Sequence, residues 1–309
     1  MLKKLCHEDK GYSLVTLALL LPVLVVLLAL VCDIGYAYVQ SWRMQSAADA
    51  GALAGTRVLH LTGDEEQAID AATKYARING AINGAITVTV TVNVDPGAKT
   101  VKVEARTDFP TFVASILGID TLAADKPAAA IHGAVSQVWG GLYPIATNVQ
   151  GFQIGSTYTM YVGTAPGNFG WLSWDGTMSE DYLCDCLKDP GKSKGYIDPY
   201  PDDDTTIDIG DWVWGRPGIA NSICVRDALN HFKNNEDAPM TIVVWDDTRF
   251  SGSDAQYHIK GFAKFILTDY RLPGQNRISG KFIKWVEATT LITLDPNSDF
   301  GVHGVKLTE

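Results

Sequence analysis

The sequence predicts an α+β protein hung on an N-terminal transmembrane helix, and three observations carry that prediction. Gly11 to Cys32 is an uncharged apolar run of 22 residues. Residues 33 to about 138 alternate helix-period and strand-period patterns, and residues 139–309 break into short apolar runs between glycine- and aspartate-rich turns. The expected organisation is a cytoplasmic tail at 1–10, a transmembrane helix at 11–32 and a helical stalk with a small α+β unit at 33–138. A mainly antiparallel, sandwich-like β domain completes it at 139–309.

The apolar run comes first. As a helix it is roughly 33 Å long, enough to cross a hydrocarbon core of about 30 Å. Lys3, Lys4 and Lys10 precede it and no Lys or Arg follows until Arg43. The positive-inside rule therefore keeps the tail cytoplasmic and places residues 33–309 outside the cytoplasm, in a single-pass topology. The core is longer than the roughly 7–15 residues of a secretory signal, so a retained anchor is expected. Valine before Cys32 argues against lipidation, and Pro22 marks a kink or a neighbour contact inside the span.

The pattern continues past the membrane. Met44, Ala47, Gly51, Ala54, Val58 and Leu61 recur at helical spacing, and Gly55 with Ala48 smooths the same surface. Ala47, Gly51, Ala54, Gly55 and Val58 are the candidate helix-packing residues, either for a partner subunit or for this chain's own next helix. That next helix begins at a capping-box spacing, Thr62 to Glu65, and stops at Asn79-Gly80. Val88, Val90, Val92 and Val94 then alternate with polar residues, and Asp95-Pro96-Gly97 turns the chain into a second alternating strand through Val101, Val103 and Ala105. A short helix over about 110–117 and a third strand over 128–138 complete the unit. One helix, about Ser222 to Lys233, interrupts the β domain.

Within GYSLVTLALLLPVLVVLLALVCDIGYAYVQSWRMQSAADAGALAGTRVL, the apolar helix, the Asp-x-Gly exit and the small-residue helix follow one another in an order that resembles the TadE/TadG-like proteins of tight-adherence (Flp) pilus assembly. NFGWLSWDG and YHIKGFAKFILTDY add a looser likeness to the outer part of TadG-like proteins. The resemblance implies a membrane-anchored, non-enzymatic component that works by contact with other pilus-assembly proteins or minor pilins, with roles in adhesion or secretion. Two family features are missing. The fifth residue after Gly11 is Thr16 and not Glu, and no Asp-x-Ser-x-Ser metal motif of a von Willebrand A-type domain occurs.

Chemistry is sparse. The formal charge of −10 divides into +1 for the tail and −11 for the rest, which excludes a nucleic-acid stripe. The six histidines lie far apart in sequence, so no metal ligand set, cofactor or catalytic residue is predicted. Asp247, His258 and Ser253 make a nominal triad with nothing to distinguish it from chance. Cys184, Cys186 and Cys224 are disulfide candidates, Cys224 pairing with either of the other two. Asp202, Asp203, Asp204 and Asp208 suggest a solvated loop before a calcium site, and Trp171, Trp174, Trp212 and Trp214 suggest core before a sugar-binding face. The alternative function is a pilus-independent surface or periplasmic protein binding carbohydrate, calcium or envelope. A membrane-tethered hydrolase ranks third.

Overall fold

The uncharged run and the stretch after it form one unbroken helix, α1 (Asp9–Thr62), which passes through Pro22. In the computed structural model, residues 9–80, 88–148, 153–161, 169–200, 206–218, 220–233, 235–272, 274–289 and 291–308 are described. No residue in the apolar window of α1 is buried in protein, as a lipid-facing segment requires, and it is long and apolar enough to cross a membrane.

The chain divides into two compact units. The first comprises Met1–Leu59, Asp64–Ala130 and Leu307–Glu309. Here α2 (Glu65–Gly80) follows α1, and Asp64 caps it, accepting from the Glu66 and Gln67 amides at 2.9 and 3.1 Å. The capping residue is thus Asp64 and not Thr62, because α1 runs on to Thr62 itself. Strands β1 (Thr89–Asp95) and β2 (Thr100–Pro110) form the expected antiparallel hairpin, closed where Asp95 faces Thr100. Val101, Val103, Ala105, Thr107 and Phe109 alternate inward along β2. The predicted helix at 110–117 shrinks to one 3-10 turn, Ala114–Leu117, because Pro110 still belongs to β2. Strand β3 (Thr121–Val135) starts earlier than expected and breaks before Gln137, giving the sheet order β1-β2-β3.

The second unit comprises His60–Gly63 and Ile131–Lys306. Its short strands β4 (Gln137–Val138), β5 (Ile145–Asn148), β6 (Thr157–Tyr161) and β7 (Phe169–Ser173) precede α3 (Glu180–Lys188). Then come β8 (Ile207–Asp208), β9 (Trp212–Arg216), α4 (Ile223–Phe232), β10 (Met240–Arg249) and β11 (Gln256–Arg271). Strands β12 (Arg277–Ile283), β13 (Trp285–Val286), β14 (Ile292–Thr293) and β15 (Val302–Thr308) end the chain. A seven-stranded sheet runs β10-β5-β7-β9-β11-β12-β6, and a further β10–β11 pairing closes its first five strands into a ring. The ring is antiparallel except between β5 and β10.

Both faces of this sheet are covered. Along β10, Ile242 and Val244 pack with Leu183, Leu229 and Phe265, while Val243 and Trp245 pack with Trp174, Ile259 and Phe262. A continuous apolar run such as Met240–Trp245 is what burial on two faces requires. Helix α4 spans the expected range between its Ser222 and Lys233 caps. Helix α3 was not expected: Ser179 caps it, accepting from Tyr182 N at 3.2 Å, and its nine residues are too few for periodicity alone to reveal.

Candidate functional site

Asp33 is the first charge after the apolar run, and its carboxylate reaches across the first unit to the loop after β2. Oδ1 accepts from the Phe112 amide at 2.7 Å, and Oδ2 from the Val113 and Ala114 amides at 2.9 and 2.8 Å. These donors open the 3-10 turn, where backbone N–H groups lack internal partners, so one carboxylate satisfies three orphans. The loop is closed behind them: Thr111 N donates to Asp120 O at 3.1 Å and Ile119 N to Ala114 O at 3.0 Å. Gly118 supplies the left-handed turn at φ 84.

The loop carries its apolar side chains outward. Phe112 is 64 % exposed and Ile116 81 %, with Ile119 and Leu122 also open. Tyr36 of α1 stands edge-on to Phe109 and Phe112, with centroids 5.3 and 5.7 Å away. Farther along α1, Tyr38 and Trp42 are exposed, roughly 9 and 15 Å beyond Cys32. Amphipathic aromatics at that distance from an apolar span match an interfacial belt.

The candidate helix-packing residues lie against the chain's own elements. Ala47, Gly51 and Gly55 are buried; Ala54 and Val58 lie half-buried beside them, and Leu61 is exposed. A Cβ on Gly51 would stand 2.9 Å from Ala72 O and 3.2 Å from Val103 Cγ1; one on Gly55 would stand 3.0 Å from Ala72 Cβ and from Val101 Cγ1. Ala68, Ala72, Ala76 and Gly80, four residues apart, are the buried face of α2. The buried stripe of α1 therefore runs Met44, Ala47, Ala48, Gly51, Ala52, Gly55 and Leu59, rotated from the predicted one at its outer end.

In the second unit Cys184 and Cys224 form a disulfide joining α3 to α4, while Cys186 is a buried free thiol whose burial pushes its pKa up to about 11. Cys32 is free and exposed. The nominal triad does not assemble. His258 Nδ1 pairs with Asp246 at 2.6 Å, Asp247 Oδ1 accepts from Thr248 N, and Ser253 Oγ donates to Asp254. Trp171 and Trp174 are core residues, and Arg249 lies 4.0 Å over Trp212. Asp202, Asp203 and Asp204 fall outside the described residues; Asp208 accepts from Gln137 Nε2 at 3.0 Å.

Sequence reasoning missed one cluster. His60, His132 and His303 are buried together, their candidate ligand atoms all within 4.8 Å. Burial, then the neighbouring His303, pushes the His60 pKa down to about 4, against the raising effect of its bond to Gly301 O. Nothing in the spacing of 60, 132 and 303 announces this, since β3 and β15 bring the residues together only in the folded sheet.

Over residues 11–63 the sequence matches the family model described as "Putative Flp pilus-assembly TadE/G-like". No curated protein and no solved structure matches the chain. The matched span contains the apolar helix, the Asp33 exit and the small-residue stripe, and over these residues the chain is similar to TadE/G-like proteins of Flp pilus assembly.

Proposed function

We propose that this protein is a membrane-anchored, non-catalytic TadG-like component of Flp pilus assembly or anchoring that acts by protein interaction. The observation that carries the reading is the Asp33 clamp, placed where the apolar span ends inside the family-matched segment. It fixes the membrane helix to the loop after β2, so the span and the small sheet move as one body. The stripe at Gly51 and Gly55 is filled internally, which leaves partner contacts to the exposed surfaces of the two units. The N-terminus is cytoplasmic and residues 33–309 extracytoplasmic, on the strength of the lysines before the span.

The membrane is itself a partner of the loop. Phe112, Ile116, Ile119 and Leu122 stand beside the first charge after the span, at the depth where headgroups meet acyl chains. Four apolar side chains there anchor the loop laterally and hold the helix at a set tilt.

Deleting the gene, restoring it on a plasmid and counting surface pili tests the proposal. Loss of pili with rescue supports it, and normal piliation in the deletion strain overturns it. A cavity of about 470 Å³ in the second unit favours the alternative of a ligand-binding surface protein. Exposed Trp139 lies on its rim, and the Lys264–Glu287 pair, 2.9 Å apart, lies in its wall. Normal piliation together with saturable binding of an oligosaccharide that is lost in Trp139→Ala would establish that reading instead.

A further inference from the structure

Three histidines from distant parts of the sequence meet in the interior of the second unit, each already held by a neighbour. His60 Nε2 faces the Gly301 carbonyl at 3.2 Å, and a carbonyl only accepts, so Nε2 carries the proton and the neutral ring keeps its lone pair on Nδ1. His303 Nε2 faces Asp299 Oδ1 at 2.8 Å, which places its lone pair on Nδ1 in the same way. His132 Nδ1 lies 2.8 Å from that atom. All three rings are buried, at 6 %, 7 % and 1 % exposure.

We propose that His60, His132 and His303 form a binding site for a late first-row divalent metal ion, zinc above all, with Asp299 and the Gly301 carbonyl orienting the ligands from behind. Three neutral imidazoles suit zinc, copper or nickel and not calcium or magnesium, which require oxygen donors. A carboxylate or carbonyl on the far nitrogen of each ligand is how metal-bound histidines are held in orientation. In the ion-free chain the short His132–His303 contact is a hydrogen bond between the two Nδ1 atoms. On loading, the His132 proton moves to its Nε2, so the ring changes tautomer with no net proton released.

The geometry needs a small adjustment. An ion about 2.0–2.1 Å from each nitrogen in a tetrahedral arrangement sets the nitrogens about 3.3 Å apart. His132 and His303 therefore separate by about half an ångström, and His60 turns out of its stack on His303, where the ring centroids are now 3.7 Å apart. The ion would tie the segment containing His60 to strands β3 and β15. This role does not depend on the pilus reading.

The test uses the full chain in detergent, prepared without chelator. Metal analysis, refolding with zinc or cobalt, and X-ray absorption at the bound metal are the readouts. We expect one equivalent per chain, a metal shell of three imidazoles and a thermal midpoint that rises with zinc. Loss of the ion is expected in His303→Ala, and retention in the exposed control His231→Ala. As a positioning residue, Asp299 should show its effect in affinity: Asp299→Asn weakens zinc binding about 10–100-fold. If His303→Ala does not fold, absorption spectroscopy on the unmodified chain decides alone. A wild-type chain that stays metal-free after refolding with zinc, or a bound ion that His303→Ala retains, overturns the proposal.

Discussion

Asp33 and Phe112 are 79 residues apart in sequence and 2.7 Å apart at the carboxylate and amide that join them. The charge that ends the membrane span is also the group that orders the loop beside it. Removing the carboxylate leaves three amides at the start of the 3-10 turn without an acceptor. Asp33→Ala should lower local stability, read as faster hydrogen exchange at Phe112, Val113 and Ala114. Asp33→Asn keeps one carbonyl acceptor and loses the charge, so its cost is smaller. Unchanged exchange at those amides in the alanine variant would show that the clamp contributes nothing.

The apolar tip of that loop gives a second test. A nitroxide at Ile116, in the full chain reconstituted into vesicles, should be relaxed more strongly by oxygen than by a water-soluble nickel chelate. A label at exposed Glu104 on β2 should show the reverse order. Phe112→Asp or Ile116→Asp should reverse the oxygen preference of a neighbouring label, because a charge disfavours insertion at the acyl boundary. Chelate-dominated relaxation at Ile116 in the unmodified chain would remove the loop from the membrane.

Gly51 and Ala72 meet so closely that no side chain fits between them. A methyl on Gly51 would stand 2.9 Å from the Ala72 carbonyl oxygen, a backbone atom that moves only with α2. Gly51→Ala should therefore destabilise the first unit by about 1–3 kcal/mol and lower its thermal midpoint. Ala54→Leu, on the half-buried margin, should be tolerated. If Gly51→Ala left stability unchanged but abolished piliation, the stripe would be an intermolecular surface after all.

How much of this was legible in the sequence depends on the range of the interactions. Helix α1 follows from an uncharged run, and the β1–β2 hairpin from valine alternation around Asp95-Pro96-Gly97; both are local patterns. The stripe at Gly51 announced close packing without naming its partner. Its counterpart was visible in Ala68, Ala72 and Ala76, which share one face of α2. The Asp33 clamp was hidden because its donors are backbone amides, which have no residue signature. The histidine cluster was hidden because strand pairing, not spacing, sets its distances. Helix α3 was hidden by its length, and Asp64 was passed over because Thr62 offered a capping-box spacing that α1 consumes.

Cys184 and Cys224 close a loop of 40 residues between α3 and α4. In the chain-entropy account such a bridge contributes about 4 kcal/mol by restricting the unfolded state. Cys184→Ser, or reduction of the wild type, should lower the denaturant midpoint of the second unit by a matching amount. Native alkylation near pH 8 should spare Cys186, whose thiol is buried and held at a pKa of about 11. Labelling of Cys184 and Cys224 in the unreduced protein would refute the bridge.

Glu180 reinforces the same junction through charge. Its carboxylate accepts from the Asn221 amide at 2.5 Å and from the Ser222 amide, at the start of α4. Burial alone would raise its pKa. The Ser222 and Asn221 amides, the Ser222 hydroxyl and the Arg216 charge outweigh that effect and hold it below the ordinary glutamate value. A depressed acid contributes stability that is present above its unfolded pKa and is lost as pH falls toward the folded one. The second unit should therefore lose stability as pH drops below about 4.3, and Glu180→Gln should flatten that part of the profile while lowering stability at neutral pH. Measuring the thermal midpoint from neutral to strongly acidic pH separates the two effects. Parallel profiles for wild type and Glu180→Gln would mean that the carboxylate at the start of α4 is not what acid titrates.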